Sequence, residues 1–115
     1  MAIDAFWFNA YGANLGCDNE GPGNCFMRIS GYEWDEARQN DTMAAQQIAV
    51  ISPCNQTSGC ELTPVTFQDD FRKLTAIKIE AYAGGSARNW YMDDLSLGWW
   101  NNTCAAGLRR LENRV

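Results

Sequence analysis

The chain has 115 residues, 46% of them apolar and 20% charged, with 9 Lys and Arg against 14 Asp and Glu for a net charge of −5. A chain of this length accommodates one domain that buries roughly two thirds of its unfolded surface around one core, and the composition excludes a disordered polypeptide. The acidic balance excludes the basic surface that nucleic acid and anionic membranes require, and no apolar run nears the roughly 18 residues of a membrane span, so neither nucleic acid nor membrane insertion is expected.

In chain order, Ile3 to Tyr11 (IDAFWFNAY) has the aromatic and β-branched density of a strand. The following ANLGCDNEGPGN reads as a loop. Phe26 to Tyr32 alternates Met27, Ile29 and Gly31 against Arg28 and Ser30, the period of a half-buried strand. Glu33 to Thr42 is polar and reads as an irregular loop. Ala44 to Ile51 contains helix formers, but its β-branched cluster and the Pro53 that follows favour a strand. Leu62 to Phe67 is a strand whose Pro64 belongs at an edge or bulge, because proline supplies no ladder donor. Asp69 to Leu74 is a turn. Thr75 to Tyr82 is the clearest strand, with Ile77, Ile79 and Ala81 facing in and Lys78 and Glu80 facing out. AGGSARN then forms a hairpin loop into the last strand, Trp90 to Trp99. Counting alternation from Leu95 and Leu97 as core positions puts Tyr91, Asp93 and Trp99 inside and Trp90, Met92, Asp94 and Ser96 outside. The tail after Cys104 is at most a single helical turn.

Short strands joined by Gly, Pro and Asn loops predict an all-β fold, an antiparallel, jelly-roll-like β-sandwich over residues 1–104 followed by a tail over 105–115. A jelly roll has about eight strands and six are legible, so the sandwich is expected to be incomplete at its N-terminal side, as the C-terminal portion of a larger domain.

Cys17 and Cys25 bracket DNEGPGN, and Cys54 and Cys60 bracket NQTSG, both turn-forming inserts. With no histidine and no C-x-x-C pair, zinc is a poor alternative to two local disulfides. Sequons at Asn40, Asn55 and Asn101, all in segments that read as loops, add to an oxidising, secretory reading, extracellular or at the cell surface. Met1-Ala-Ile-Asp is not the start of a signal peptide, which agrees with a fragment or a processed chain. Cys104 is left over, and its expected partner is an upstream or intermolecular cysteine.

Catalysis finds little material. Without histidine there is no Ser-His-Asp or Cys-His arrangement, Asp93 and Asp94 alternate across one strand and cannot flank a glycosidic bond, and Asp69 and Asp70 suit turn capping. The chain is therefore read as a non-enzyme. An inward Asp93 needs backbone donors or a cation, which makes it a candidate calcium ligand. Sugar recognition uses flat aromatic rings beside polar groups; the candidates are Trp90, Tyr82, Trp34 and Trp100, with Asn89, Arg88 and Glu80 as polar neighbours. The alternative for each ring is a place in the core.

FRKLTAIKIEAY followed by a glycine loop and WYMDDLSLGW resembles the closing strands of carbohydrate-binding-module-like jelly rolls. GCDNEGPGNC, ISGYEW and WYMDDLSLGWWNNTCAAG resemble the C-terminal part of an uncharacterised domain of fungal secreted or cell-surface proteins, over nearly the whole chain. The resemblance implies a sandwich fold, a cell-wall glycan as the expected partner, no cofactor beyond a structural calcium in the full-length domain, and no established activity. A structural or adhesive spacer, or a secreted effector-like protein that binds another protein, is the competing expectation.

Overall fold

The computed structural model describes residues 4–54 and 60–112. Asn55, and with it one sequon, lies outside the described residues.

The fold is an all-β sandwich of two antiparallel sheets, as the strand pattern predicts. One sheet has three strands in the order β4-β1-β7, the other four in the order β3-β2-β5-β6. The strands are β1 (Phe8–Cys17), β2 (Cys25–Asp35), β3 (Asn40–Ile51), β4 (Thr63–Thr66), β5 (Ala76–Ala83), β6 (Ser86–Arg88) and β7 (Trp90–Trp99). A 3-10 turn (Asp4–Phe6) precedes them and a helix, α1 (Cys104–Glu112), follows.

Four expectations are corrected. The first strand begins later and runs through ANLGC, because Asp4–Phe6 coils, Phe8 then pairs with Trp99 of β7, and Gly12–Leu15 pair with β4 as well as lying beside β7. Glu33 to Thr42 is not a loop: β2 and β3 continue as one long hairpin closed over a turn at residues 36–39, where Asp35 Oδ1 accepts from the backbone N–H of Ala37 and Arg38 at 3.0 and 3.2 Å. Asn40 consequently opens a strand, though it remains exposed. The tail is not a single turn. Thr103 Oγ1 caps α1 by accepting from Ala106 N–H at 3.1 Å, and Arg110 donates to the carbonyls of Ala5 and Asn101, which fixes nine helical residues against the first turn of the chain.

The inner faces meet in a core of Leu15 from β1, Cys25, Met27 and Ile29 from β2, and Ala45, Ala49 and Ile51 from β3. The crossing between β4 and β5 closes one end. Its segment Asp69 to Leu74, predicted as a plain turn, buries Phe71 and Leu74 beside the equally buried Phe67, with the two phenyl rings 5.4 Å apart. Phe8 and Leu74 exchange backbone hydrogen bonds at 2.9 and 2.7 Å, so this plug is bonded to β1. At the other end Cys17, the last residue of β1, is bonded to Cys25, the first of β2, with Cα atoms 6.4 Å apart. That disulfide joins one sheet to the other. Cys54–Cys60 is the second predicted bridge. Two intramolecular disulfides belong to an oxidising environment.

Two backbone positions test this packing. A Cβ at Gly12 would sit 2.6 Å from the carbonyl oxygen of Val65 on β4, so Gly12→Ala should cost about 1–3 kcal/mol in urea unfolding, the range for an overpacked site. Replacing Cys17 and Cys25 together by serine should cost about 2.5 kcal/mol on the chain-entropy relation for this loop, read as a lower unfolding midpoint with β-sheet circular dichroism retained at low denaturant.

Candidate functional site

β2 is central in its sheet, paired along Phe26–Tyr32 with β5 and along its whole length with β3. Its alternation sends Cys25, Met27 and Ile29 inward, fully buried, and Phe26 and Arg28 outward. Register then sets the neighbours. Phe26 lies between Val50 and Tyr82, and Arg28 between Ile48 and Glu80. The outer face of the four-stranded sheet therefore carries an open apolar row, with Phe26 50% and Val50 52% exposed, beside a polar one.

The polar row is a hydrogen-bonded set. Arg28 Nε and Nη2 donate to Glu80 Oε1 at 3.2 and 3.0 Å, and Tyr82 Oη donates to Glu80 Oε2 at 2.8 Å, so both carboxylate oxygens are engaged. The guanidinium also lies 5.7 Å from the Tyr82 ring centroid, a cation–π distance. The Tyr82 hydroxyl, followed by Arg28, holds the Glu80 carboxyl below the usual carboxylate range. The same carboxylate pushes the Tyr82 hydroxyl above the ordinary phenol value, and Glu80 raises Arg28 further. At neutral pH the set is thus a carboxylate between a cation and a neutral phenol. It presents a ring edge, a donor and an acceptor on a rigid strand, which suits binding of a polyhydroxylated ligand and offers no proton poised to move near pH 7.

Tyr82 and Glu80 are the two predicted site residues that the structure brings together, with the outward parity expected of them. Arg28, Phe26, Ile48 and Val50 complete the face and were not among the sequence candidates. Phe26 shares the alternation of Arg28 and Ser30, which was the available signal; its neighbours on β3 and β5 depend on register, which a single sequence does not display.

Trp90 is a correction. It packs against the core from the inner side of β7, and it sits on the other sheet from Tyr82. Two physical reasons combine. The AGGSARN segment does not turn β5 onto the last strand; β6 pairs back on β5 at Ala81–Ala83, and the chain then crosses sheets at Asn89, whose carbonyl accepts from Asp18 N–H at 2.9 Å. The last strand also holds a bulge, where Asn14 pairs with Asp93 but Gly12 with Ser96, and Asp94 sits at φ 54°. One extra residue inverts the alternation, so Trp90 and Met92 face in together with Leu95 and Leu97, while Tyr91 and Asp93 face out. Leu95 and Leu97 take the inner side as expected yet stay 38% and 50% exposed.

Asp93 is therefore corrected from an inner to an exposed outer position, where its Oδ1 accepts from Asp94 N–H at 2.9 Å. Among the described residues no group of three acidic, cysteine or histidine side chains gathers to hold a cation. The remaining candidates are scattered. Trp34, at the far end of β2, donates from Nε1 to Glu36 Oε2 at 2.6 Å. Trp100 lies with Trp7 around the Lys73 ammonium, at 5.9 and 5.4 Å. Arg88 and Asn89 are exposed at the sheet crossing, and Arg88 Nη2 donates to the Ala83 carbonyl at 3.4 Å. Cys104 is exposed at the start of α1 and free among the described residues. At Asn101 the side-chain amide donates to Asp4 Oδ1 at 3.2 Å.

Glu80→Gln removes the cause of two shifts, so the Tyr82 hydroxyl should titrate closer to the ordinary phenol value, as followed by the NMR shift of its ring carbon. For the native network the sign is set by the lowered Glu80 value: its stabilising share is complete above the unfolded glutamate pKa and lost as pH falls through the folded one. The difference in unfolding midpoint between native protein and Glu80→Gln should therefore shrink on acidification below the ordinary glutamate range.

No helix among the described residues is long and apolar enough to cross a membrane. Neither a curated protein nor a solved structure matches the chain. A family model described as a domain of unknown function, DUF7371, matches residues 1–110, and on that coverage the chain belongs to the DUF7371 family.

Proposed function

We propose that the protein is a non-catalytic, extracellular or cell-wall-associated module that binds glycan on the outer face of its four-stranded sheet. The observation that carries this reading is the pairing of Phe26 with Tyr82 beside the Arg28–Glu80–Tyr82 hydrogen-bonded set. A pyranose ring lays its apolar face on a flat ring while its hydroxyls need donors and acceptors at the rim, and this face supplies both within two adjacent cross-strand rows. Phe26 is the open ring; Tyr82 is partly covered by the Arg28 guanidinium and serves as the wall of the platform.

A non-catalytic role agrees with the absence of histidine; the expected placement of Asp93 and Asp94 on opposite faces does not hold, since the bulge leaves both exposed and Asp94 accepts from the outer-face Asn14 amide at 3.0 Å. A structural or adhesive spacer, or an effector-like protein with a protein partner, is the second reading. Ile48 and Val50 favour it, since an aliphatic border 53% and 52% exposed beside Phe26 suits a protein surface as well as a sugar.

The test is a glycan-array screen with polysaccharide pull-down, on protein from an oxidising host. Phe26→Ala and Tyr82→Ala should each weaken binding about tenfold, the equivalent of about 1.4 kcal/mol, with the unfolding midpoint nearly unchanged for the exposed Phe26. Trp90→Ala should instead lower stability, because Trp90 packs on the core. Folded protein that binds nothing across fungal and plant cell-wall glycans would remove sugar recognition and leave the spacer.

A further inference from the structure

The two sheets are tied along one side and open along the other. On the tied side the Gln47 side chain of β3 donates to the Thr66 carbonyl at 2.9 Å and accepts from Gln68 N–H at 2.9 Å, clipping the edge of one sheet to that of the other. On the opposite side β7 pairs with β1 alone, and among the described residues no strand takes its other edge. Facing it, β6 covers only Ala81–Ala83 of β5, so Ala76–Glu80 is bare on that side. Between the two bare edges runs an apolar groove with a cavity of about 210 Å³, lined by Phe8, Ile77, Ile79, Met92, Leu95 and Leu97. A second cavity, of about 350 Å³, continues it past Leu97 to Trp99 and Phe6. A ten-residue edge strand with unpaired amides and half-exposed apolar side chains is a template for strand addition.

We propose that β7 is the acceptor edge for a β-strand of a different polypeptide, an extended segment of alternating apolar residues with an Arg or Lys opposite Asp93. Such a strand continues the β4-β1-β7 ladder, and its inward side chains fill the groove over Leu95 and Leu97. Charge selects it. On the outer face the cross-strand row reads Pro64, Asn14, Asp93. The Asn14 amide is spent on Asp94, and among the described residues Asp93 accepts only from the neighbouring backbone N–H, so the next place in the row faces a carboxylate with no cation against it. A basic residue there forms a cross-strand pair. A second copy of this chain is disfavoured. In an antiparallel pairing of β7 with its copy over all ten residues, the two Asp93–Asp94 pairs come within about 9 Å of each other, close to the screening length of about 8 Å at physiological salt, and each copy carries a net charge of −5.

The probes are two ten-residue peptides alternating valine and threonine, one with arginine and one with glutamate at the central outward position. Fluorescence anisotropy gives the affinity, and hydrogen exchange of the Trp90–Trp99 amides gives the place. The arginine peptide should bind at least tenfold tighter than the glutamate peptide and slow exchange along β7. Asp93→Lys should reverse that order, and Leu97→Asp, at a half-exposed groove position, should abolish binding with β-sheet circular dichroism retained. The proposal is overturned if neither peptide protects β7, or if the affinities are equal. It is also overturned if β7 amides become protected with protein concentration alone, which assigns the edge to a second copy. Protection already present in the product of the whole reading frame, without peptide, would assign the edge to that chain's own residues and overturn it as well.

Discussion

The covalent bond between Cys17 and Cys25 is the constraint on which the rest of the sandwich depends. It leaves the last residue of one sheet's central strand and enters the first residue of the other's, so it fixes the distance between the layers and the phase of both strands at once. Cys25 is fully buried, and with its side chain directed inward the alternation of β2 has no freedom left. Met27 and Ile29 must then enter the core, and Phe26 and Arg28 must leave it. The opposite end is held without covalent help by Phe67, Phe71 and Leu74 under β1. A domain of this size has a modest core, and a tie at one end with an aromatic plug at the other restrains the two sheets along their length.

From that phase the outer face follows. Phe26 and Tyr82 are side by side because β2 and β5 pair in one unbroken register from Phe26 to Tyr32, and Glu80 is held by both Arg28 and Tyr82 for the same reason. An exposed ion pair contributes little to stability in water, so the value of this set lies in geometry: three polar side chains are kept in one arrangement before any ligand arrives. On the glycan-binding reading proposed above, a surface built this way would orient a polyhydroxylated ligand without asking flexible loops to order.

The two lateral sides of the sandwich are handled in opposite ways. Where β3 faces β4, an inward Gln47 bonds across the layers and the edges are drawn together. Where β5 faces β7, apolar side chains stand half exposed above an open groove, interrupted by the Asp93–Asp94 bulge. Acidic residues and a bulge in mid-strand are devices that discourage indiscriminate edge pairing, so the edge is guarded as well as open. Selectivity by charge is compatible with both facts.

The all-β class, the two short-range disulfides and the inward and outward faces of β2 and β5 were legible in the sequence, because each rests on neighbours a few residues apart: alternation along a strand, and cysteines around a turn-forming insert. What lies across the fold was not. Phe26 joined Tyr82 through a register between strands some fifty residues apart, and Trp90 left Tyr82 because the chain changed sheets at Asn89. Asp93 turned outward because the bulge at Asp94 inserts one residue that no local pattern marks. The helix at Cys104–Glu112 exists through Arg110 reaching Ala5, a hundred residues away, where propensity alone supports little more than a turn. Periodicity, a one-dimensional property, determined which residues face in or out within an unbroken strand; bulges, sheet crossings and register are set by long-range packing, and only the tertiary structure decided which outward residues meet.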